Sequence, residues 1–216
     1  MIPGKIQHIW FDFSGTLAFT KNERLDRLRY ETYSSVVKKP IDDALILEYE
    51  TLYKKHSDSN AALFCSLGFP ISYWSDRINS LQASELYTLA DNTIPEILRT
   101  IQTFVPVSLL SNISLKKALP AIGIDQDVFT HIISADTLTE PKPSLQGFYK
   151  MIELSNLPAK EILYIGDHVS KDILPAKQLG ISTGILWSTS HDADYSFETF
   201  ADILDFVKNN HGTAEV

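Results

Sequence analysis

Five short apolar runs recur along the chain, and most stop at a small or acidic residue. They cover residues 6–11 before Asp12, 105–110 before Ser111-Asn112, 131–134, 162–165 before Gly166-Asp167, and 181–187. Runs of this length, apolar at nearly every position, suit strands covered on both faces. Helical stretches lie between them at 93–103, 115–122, 145–154 and 173–179, the last stopped by Gly180. Strand and helix in alternation imply right-handed crossovers and a doubly wound sheet, that is, a three-layer, Rossmann-like parallel α/β fold. Such sheets bind ligands beyond the carboxyl ends of their strands. Asp12, Ser111 and Asp167 all stand at such ends.

The first crossover is too long. The stretch from Asp12 to Ser111 is about three times the roughly 30 residues a βαβ unit needs. Residues 18–91 are rich in helix formers, with Leu and Tyr at helical spacing in Leu25-Leu28-Arg29-Tyr33 and Leu45-Glu48-Tyr49-Leu52-Tyr53. This spacing predicts a helical cap domain over 18–91, lying over the strand ends. Residues 1–17 and 92–216 then form the α/β core, with 209–216 as a frayed tail.

Composition narrows the partners. The chain has 216 residues, 44% hydrophobic and 21% charged, enough to bury a core without staples. Nineteen basic against 27 acidic residues give a net charge of −8, which lacks the electrostatic footprint of a general nucleic-acid binder. One cysteine, Cys65, allows neither an internal disulfide nor a zinc cluster. The N-terminus has no signal-peptide pattern and no run is long enough to span a membrane. A cytoplasmic protein, monomeric or homodimeric, is the expectation.

Four segments bring reactive side chains to one sheet edge. Asp12-Phe13-Ser14-Gly15-Thr16-Leu17 carries a carboxylate off a buried strand beside a glycine that permits a tight turn. Such an Asp can serve as nucleophile or metal ligand. Ser111-Asn112 offers a hydroxyl and backbone amides at a helix start, able to hold an anion. Lys142 is held between Pro141 and Pro143, which restrict its backbone. Gly166-Asp167-His168-Val169-Ser170-Lys171-Asp172 supplies two carboxylates suited to a hard, oxygen-ligated ion such as Mg2+.

In order, DFSGTL, LLSN, EPKPS and GDHVSKD resemble the four motifs of the haloacid dehalogenase-like superfamily, over residues 5–190. Most members are Mg2+-dependent phosphohydrolases, and many carry a cap where this chain has its insertion. The resemblance implies that Asp12 attacks phosphorus and forms an aspartyl-phosphate. It implies that Mg2+ is held by the Asp12 side chain, the Ser14 backbone oxygen and Asp167, with Asp172 supporting the metal's waters or orienting Lys142. Ser111, Asn112 and Lys142 would bind the phosphoryl oxygens of a small phosphorylated metabolite. The charge logic is coherent, since a dianion approaches a carboxylate only when cations offset the repulsion.

The resemblance breaks at Ser14. The family's phosphatases usually carry a second Asp there, which protonates the leaving oxygen and then activates water. A serine hydroxyl is too weak an acid for either task, and losing general acid–base help typically costs about 10²–10⁴-fold. Three alternatives follow: a phosphotransferase or mutase, cleavage of a phosphorus–carbon or carbon–halogen bond, and a binding protein that has lost turnover. Lys54 or Lys55 could serve the phosphonate reading, but a lysine pair on a helix is ordinarily a solvated face. His168 is read as incidental, His191-Asp192-Ala193-Asp194 as a polar surface loop, and His8, His131 and His211 as structural. Cys65, Phe64, Tyr73 and Trp74 are read as cap packing.

Overall fold

A computed structural model of the protein describes residues 5–211. Each apolar run forms a strand, four of them trimmed at their ends and β6 longer by one residue: β1 His8–Phe11, β4 Val107–Leu110, β5 Ile132–Ile133, β6 Ile162–Gly166 and β7 Ser182–Leu186. A sixth strand, β8 Tyr195–Phe197, follows. They make one sheet in the order β5-β4-β1-β6-β7-β8, with parallel pairing throughout. From β1 the chain goes out to β4 and β5 on one side and returns to β6 on the other. The carboxyl end of β1 therefore lies at the switch point where such sheets open a crevice.

Burial explains the unbroken apolar runs. Every residue of β1, β4 and β6 is buried, so each side chain needs an apolar or hydrogen-bonded neighbour. Burying one large apolar side chain contributes about 1.5–3 kcal/mol. The polar exceptions in these strands are paired. His8 meets Ser108 Oγ at 2.8 Å and stacks on Trp10, whose indole N–H donates to Ser155 Oγ at 2.9 Å.

The helices cover the sheet with one face each. In α6, Ile94–Gln102, residues Ile94, Ile97, Leu98 and Ile101 are buried, an i, i+3, i+4, i+7 stripe. Helix α8 spans Gln146–Ser155. Gly180, at φ +75°, ends the turn after α9, Leu174–Gln178, as the sequence predicts. The helix expected over 115–122 is shorter, with only α7, Ala118–Ala121, regular; Pro120 supplies no N–H to extend it. Residues 209–211 are not frayed. They complete α10, Phe200–His211, which is tied back by the His211 ring to the Ile6 carbonyl. Residues 212–216 lie outside the described residues.

Between β1 and β4 lies the helical insertion. A two-stranded antiparallel pair, β2 Ala18–Thr20 and β3 Tyr87–Leu89, closes its base. Helices α1 Asn22–Val37, α2 Asp43–Lys55, α3 Asn60–Ser66, α4 Ser72–Asn79 and α5 Ala83–Leu86 run between these strands. Tyr33, Leu45 and Tyr49, three of the spaced apolar positions, are buried. Tyr30, Tyr33 and Tyr53 pack around the Tyr49 ring at 5.4–5.9 Å, an aromatic cluster with favourable edge and stacked geometry. Phe64 and Trp74 are also buried and stack on each other.

Candidate active site

The four motif segments meet at the carboxyl ends of β1, β4 and β6, under the insertion, around a cavity of about 390 Å3. Asp12, Ser14, Ser111, Asn112, Lys142 and Asp167 all line it. Asp172 lies fully buried beneath, and its carboxylate comes within 4.8 Å of those of Asp12 and Asp167.

Local backbone chemistry sets up this convergence. The Asp12 N–H donates to the Ile165 carbonyl, continuing the β1–β6 ladder by one residue. The chain then turns sharply: the N–H groups of Leu17 and Ala18 both donate to the Phe13 carbonyl. Gly15 takes φ +89°, and a Cβ there would collide with the Asp167 carboxylate. Only glycine permits that close approach. Gly166 plays a matching part, since a Cβ on it would sit 2.6 Å from Asp172 Cβ.

Lys142 joins the carboxylates. Its Nζ donates to Asp12 Oδ1 at 2.7 Å, Asp172 Oδ1 at 2.6 Å and the Tyr164 hydroxyl oxygen at 2.6 Å. An ammonium has three N–H donors, so protein acceptors take all of them. Tyr164 in turn donates to Asp172 Oδ1 at 3.0 Å, and the His168 N–H donates to Asp172 Oδ2 at 3.2 Å. Asp172 thus uses both oxygens on protein donors. Lys142 Nζ is one of those donors.

Asn112 also faces the protein. Its Oδ1 accepts from the Lys142 N–H at 2.7 Å, and its Nδ2 donates to the Lys142 carbonyl and to Ser59 Oγ. The side chain therefore clamps the lysine loop and touches the insertion. Ser111 Oγ accepts from the Ile113 N–H at 3.3 Å, which leaves its own O–H to donate into the cavity.

The charges are strongly perturbed. Burial raises the Asp12 carboxyl above its ordinary value despite Lys142, and Asp172 adds to the rise. Burial pushes Asp167 up to about 6, opposed by Lys171 and reinforced by Asp172 and Asp12. Burial works on Asp172 too, but there Lys142, Lys171 and the hydrogen bonds from Lys142 and Tyr164 prevail and hold it below its ordinary value. Asp12 Oδ2 and Asp167 Oδ1 are buried with no hydrogen-bond partner among the described residues. Two orphaned carboxylate oxygens in a hard, all-oxygen donor set fit Mg2+ well.

Four residues around the site were given no part in it by the sequence. Lys171, Tyr53 and Asp58 line the cavity, and Tyr164 closes its floor. A tyrosine inside the apolar run of β6 is the one available signal, because a buried hydroxyl needs a partner. Asp58 Oδ2 meets His168 Nε2 at 2.8 Å, joining insertion to core. The Ser114 N–H adds another such link to Ser75 Oγ at 3.0 Å. Of the His191-Asp192-Ala193-Asp194 segment, Asp194 accepts from Thr183 N–H and Oγ1, so it braces β7.

A parallel sheet with a helical insertion over clustered carboxylates at its strand ends defines a capped, Rossmann-like α/β protein with an acidic site. Residues 9–186 match the haloacid dehalogenase-like hydrolase family, and the chain belongs to it. It is similar to the glyceraldehyde 3-phosphate phosphatase of Methanocaldococcus jannaschii, 35% identical over 88 residues, which cover 38% of this chain and 39% of that protein. It is also similar to the phosphoglycolate phosphatase of Chromobacterium violaceum, 26% identical over 121 residues, 52% of this chain and 53% of that one. The chain thus spans about two fifths to one half of these curated relatives. Among solved structures, a HAD phosphatase from Thermococcus onnurineus superposes with a TM-score of 0.65 at 18% identity, over 97% of this chain and 100% of that one. A magnesium-bound HAD-hydrolase from Bacillus subtilis gives 0.62 at 14% identity, over 94% and 99%. These likenesses establish the fold. No described helix is long and apolar enough to cross a membrane.

Proposed function

We propose that this chain is a Mg2+-dependent hydrolase of small phosphate monoesters, with Asp12 as the nucleophile. The observation that carries the reading is the state of Asp12: Lys142 pins one oxygen while the other is buried, unpartnered and beside the cavity. The Asp12 carboxylate attacks phosphorus, the ester P–O bond breaks, and the leaving alkoxide takes a proton from water, which the hydrolysis step returns. Water then attacks the aspartyl-phosphate and releases inorganic phosphate, restoring the carboxylate. Bound Mg2+ supplies positive charge that offsets the phosphoryl dianion. Asp12, Asp167 and the Ser14 backbone oxygen are the residues that would hold it. The Ser111 hydroxyl donates to a phosphoryl oxygen, and Lys142 keeps Asp12 aimed and partly neutralised.

The cavity volume suits a metabolite of a few carbons, the kind of substrate for which the two phosphatase relatives are named. Ser14 stands at the cavity where a carboxylate acid would help proton transfer most. It favours a second reading, in which slow hydrolysis lets an acceptor alcohol capture the phosphoryl group.

Phosphate release from a phosphomonoester panel, with and without Mg2+ and with Asp12→Asn as control, tests the proposal. Metal-dependent release that Asp12→Asn abolishes is the expected result. Release confined to an aryl ester, whose leaving group needs no proton, moves the reading to transfer. No release from any ester overturns it.

A further inference from the structure

The phosphoryl dianion needs a cationic partner, and Lys142 has no N–H left to offer. Its three donors end on Asp12, Asp172 and Tyr164, and its side chain is 1% exposed. A second lysine reaches the same cavity. Lys171 is only partly buried, lines the wall beside Asp12, Asp167 and Ser14, and forms no ion pair within 4.0 Å among the described residues.

Its place in the chain explains why it points there. Residues Val169–Ile173 form a π-helical turn rather than an α-helical one, with the Asp172 and Ile173 N–H groups both donating to the His168 carbonyl. Such turns are rare and frequent at functional sites. Here two consecutive residues serve one site, Asp172 buried beneath it and Lys171 on its wall. Burial alone would favour the neutral amine, yet Asp172, Asp12, Asp167 and Tyr53 together hold Lys171 protonated.

The charge count points the same way. Three carboxylates against one ammonium leave two negative charges, which a divalent cation only cancels. A dianion then has no net attraction to the site. With the second ammonium the cluster of Asp12, Asp167, Asp172, Lys142 and the divalent cation becomes positive by one, while Asp58, also on the wall, pairs with the His168 ring.

We propose that Lys171 is the residue whose ammonium binds the phosphoryl group of the substrate, while Lys142 holds Asp12 and Asp172 in place beneath. This assignment rests on the phosphomonoester reading above and adds to it a residue that recognises the anion.

Calorimetric titration of the full chain with inorganic phosphate, in the presence of Mg2+, tests it apart from turnover. Lys171→Gln is expected to weaken phosphate binding roughly ten- to hundredfold, the loss of one charge-assisted hydrogen bond. Its thermal transition should stay cooperative, at a lower midpoint because the buried carboxylates lose a neighbouring cation, and Lys171→Arg should keep binding within about fivefold of the parent. Unchanged phosphate affinity in Lys171→Gln overturns the proposal, as does a parent chain that binds no phosphate. Loss of the cooperative thermal transition in Lys171→Gln also overturns it, by making the role structural. Phosphate binding that depends on Lys171 in a chain that hydrolyses no ester sinks the hydrolase reading and leaves Lys171 standing. Ester hydrolysis with an unchanged KM in Lys171→Gln does the reverse.

Discussion

Lys142 Nζ lies 2.7 Å from Asp12 Oδ1, joining residues 130 positions apart whose side chains are 1% and 4% exposed. An ion pair this deep matters less for what it adds than for what its loss leaves behind. Lys142→Met would strand Asp12 and Asp172 as uncompensated neighbours, a change that typically costs about 3–5 kcal/mol. Urea unfolding at neutral pH is expected to show a loss of that size. Both stranded carboxyls would then titrate above their unfolded values, so lowering the pH should restore part of the stability. A variant as stable as the parent would mean that the lysine is not holding the carboxylates.

Asp167 illustrates a site kept at a cost. Its folded pKa of about 6 exceeds the ordinary 3.8, so the folded state binds the extra proton between those values and metal-free stability falls as pH rises through that window. At pH 7.5 in EDTA, Asp167→Asn is expected to be more stable than the parent by about 1–3 kcal/mol. Added Mg2+ should raise the thermal midpoint of the parent and leave that of the variant unmoved. A destabilised Asn variant would show that burial is not what raises this carboxyl.

Ser14 limits proton transfer if the hydrolase reading is right. Ser14→Asp should speed the hydrolysis of alkyl phosphates about 10²-fold and change aryl phosphate hydrolysis far less, because only alkoxide leaving groups need the acid. Steady-state rates on one ester of each type decide it. Equal acceleration of both would point to altered metal binding instead.

Far from the site, His8 makes the fold sensitive to acid. Burial, helped by the nearby imidazole of His131, depresses its pKa from 6.5 to about 4. Between those values the unfolded chain binds the proton and the folded chain does not, so stability is lost as pH falls from 6.5 toward 4. The full loss is about 3 kcal/mol. Thermal midpoints across this range should fall less in His8→Gln than in the parent. Parallel profiles would clear His8 of the effect.

The strand ends were legible in the sequence for a plain reason. A parallel strand covered on both faces tolerates almost no polar side chain, so the first polar residue after the run marks its exit. Asp12, Ser111 and Asp167 announce themselves in this way. Strand β8 and the end of α10 did not, because Tyr195–Phe197 is short and edge-placed, and the polar end of α10 is anchored by a contact with Ile6. Lys171 was hidden differently. Beside Asp172 in a helical stretch it looks like any solvated lysine, and only the π turn and the insertion above it turn that position into a cavity wall.

The sequence by itself determined the layered α/β fold, the inserted helices and the types of reactive group at the strand ends. Those follow from local rules: burial periodicity, glycine at a tight turn, a carboxylate where a strand stops. Tertiary structure decided which of those groups remain free to act. Lys142 and Asn112 carry the right chemistry, yet both spend their hydrogen bonds on protein partners that lie far from them along the chain. Whether a donor is already taken depends on which distant atoms close around it, and that is settled only when the chain packs.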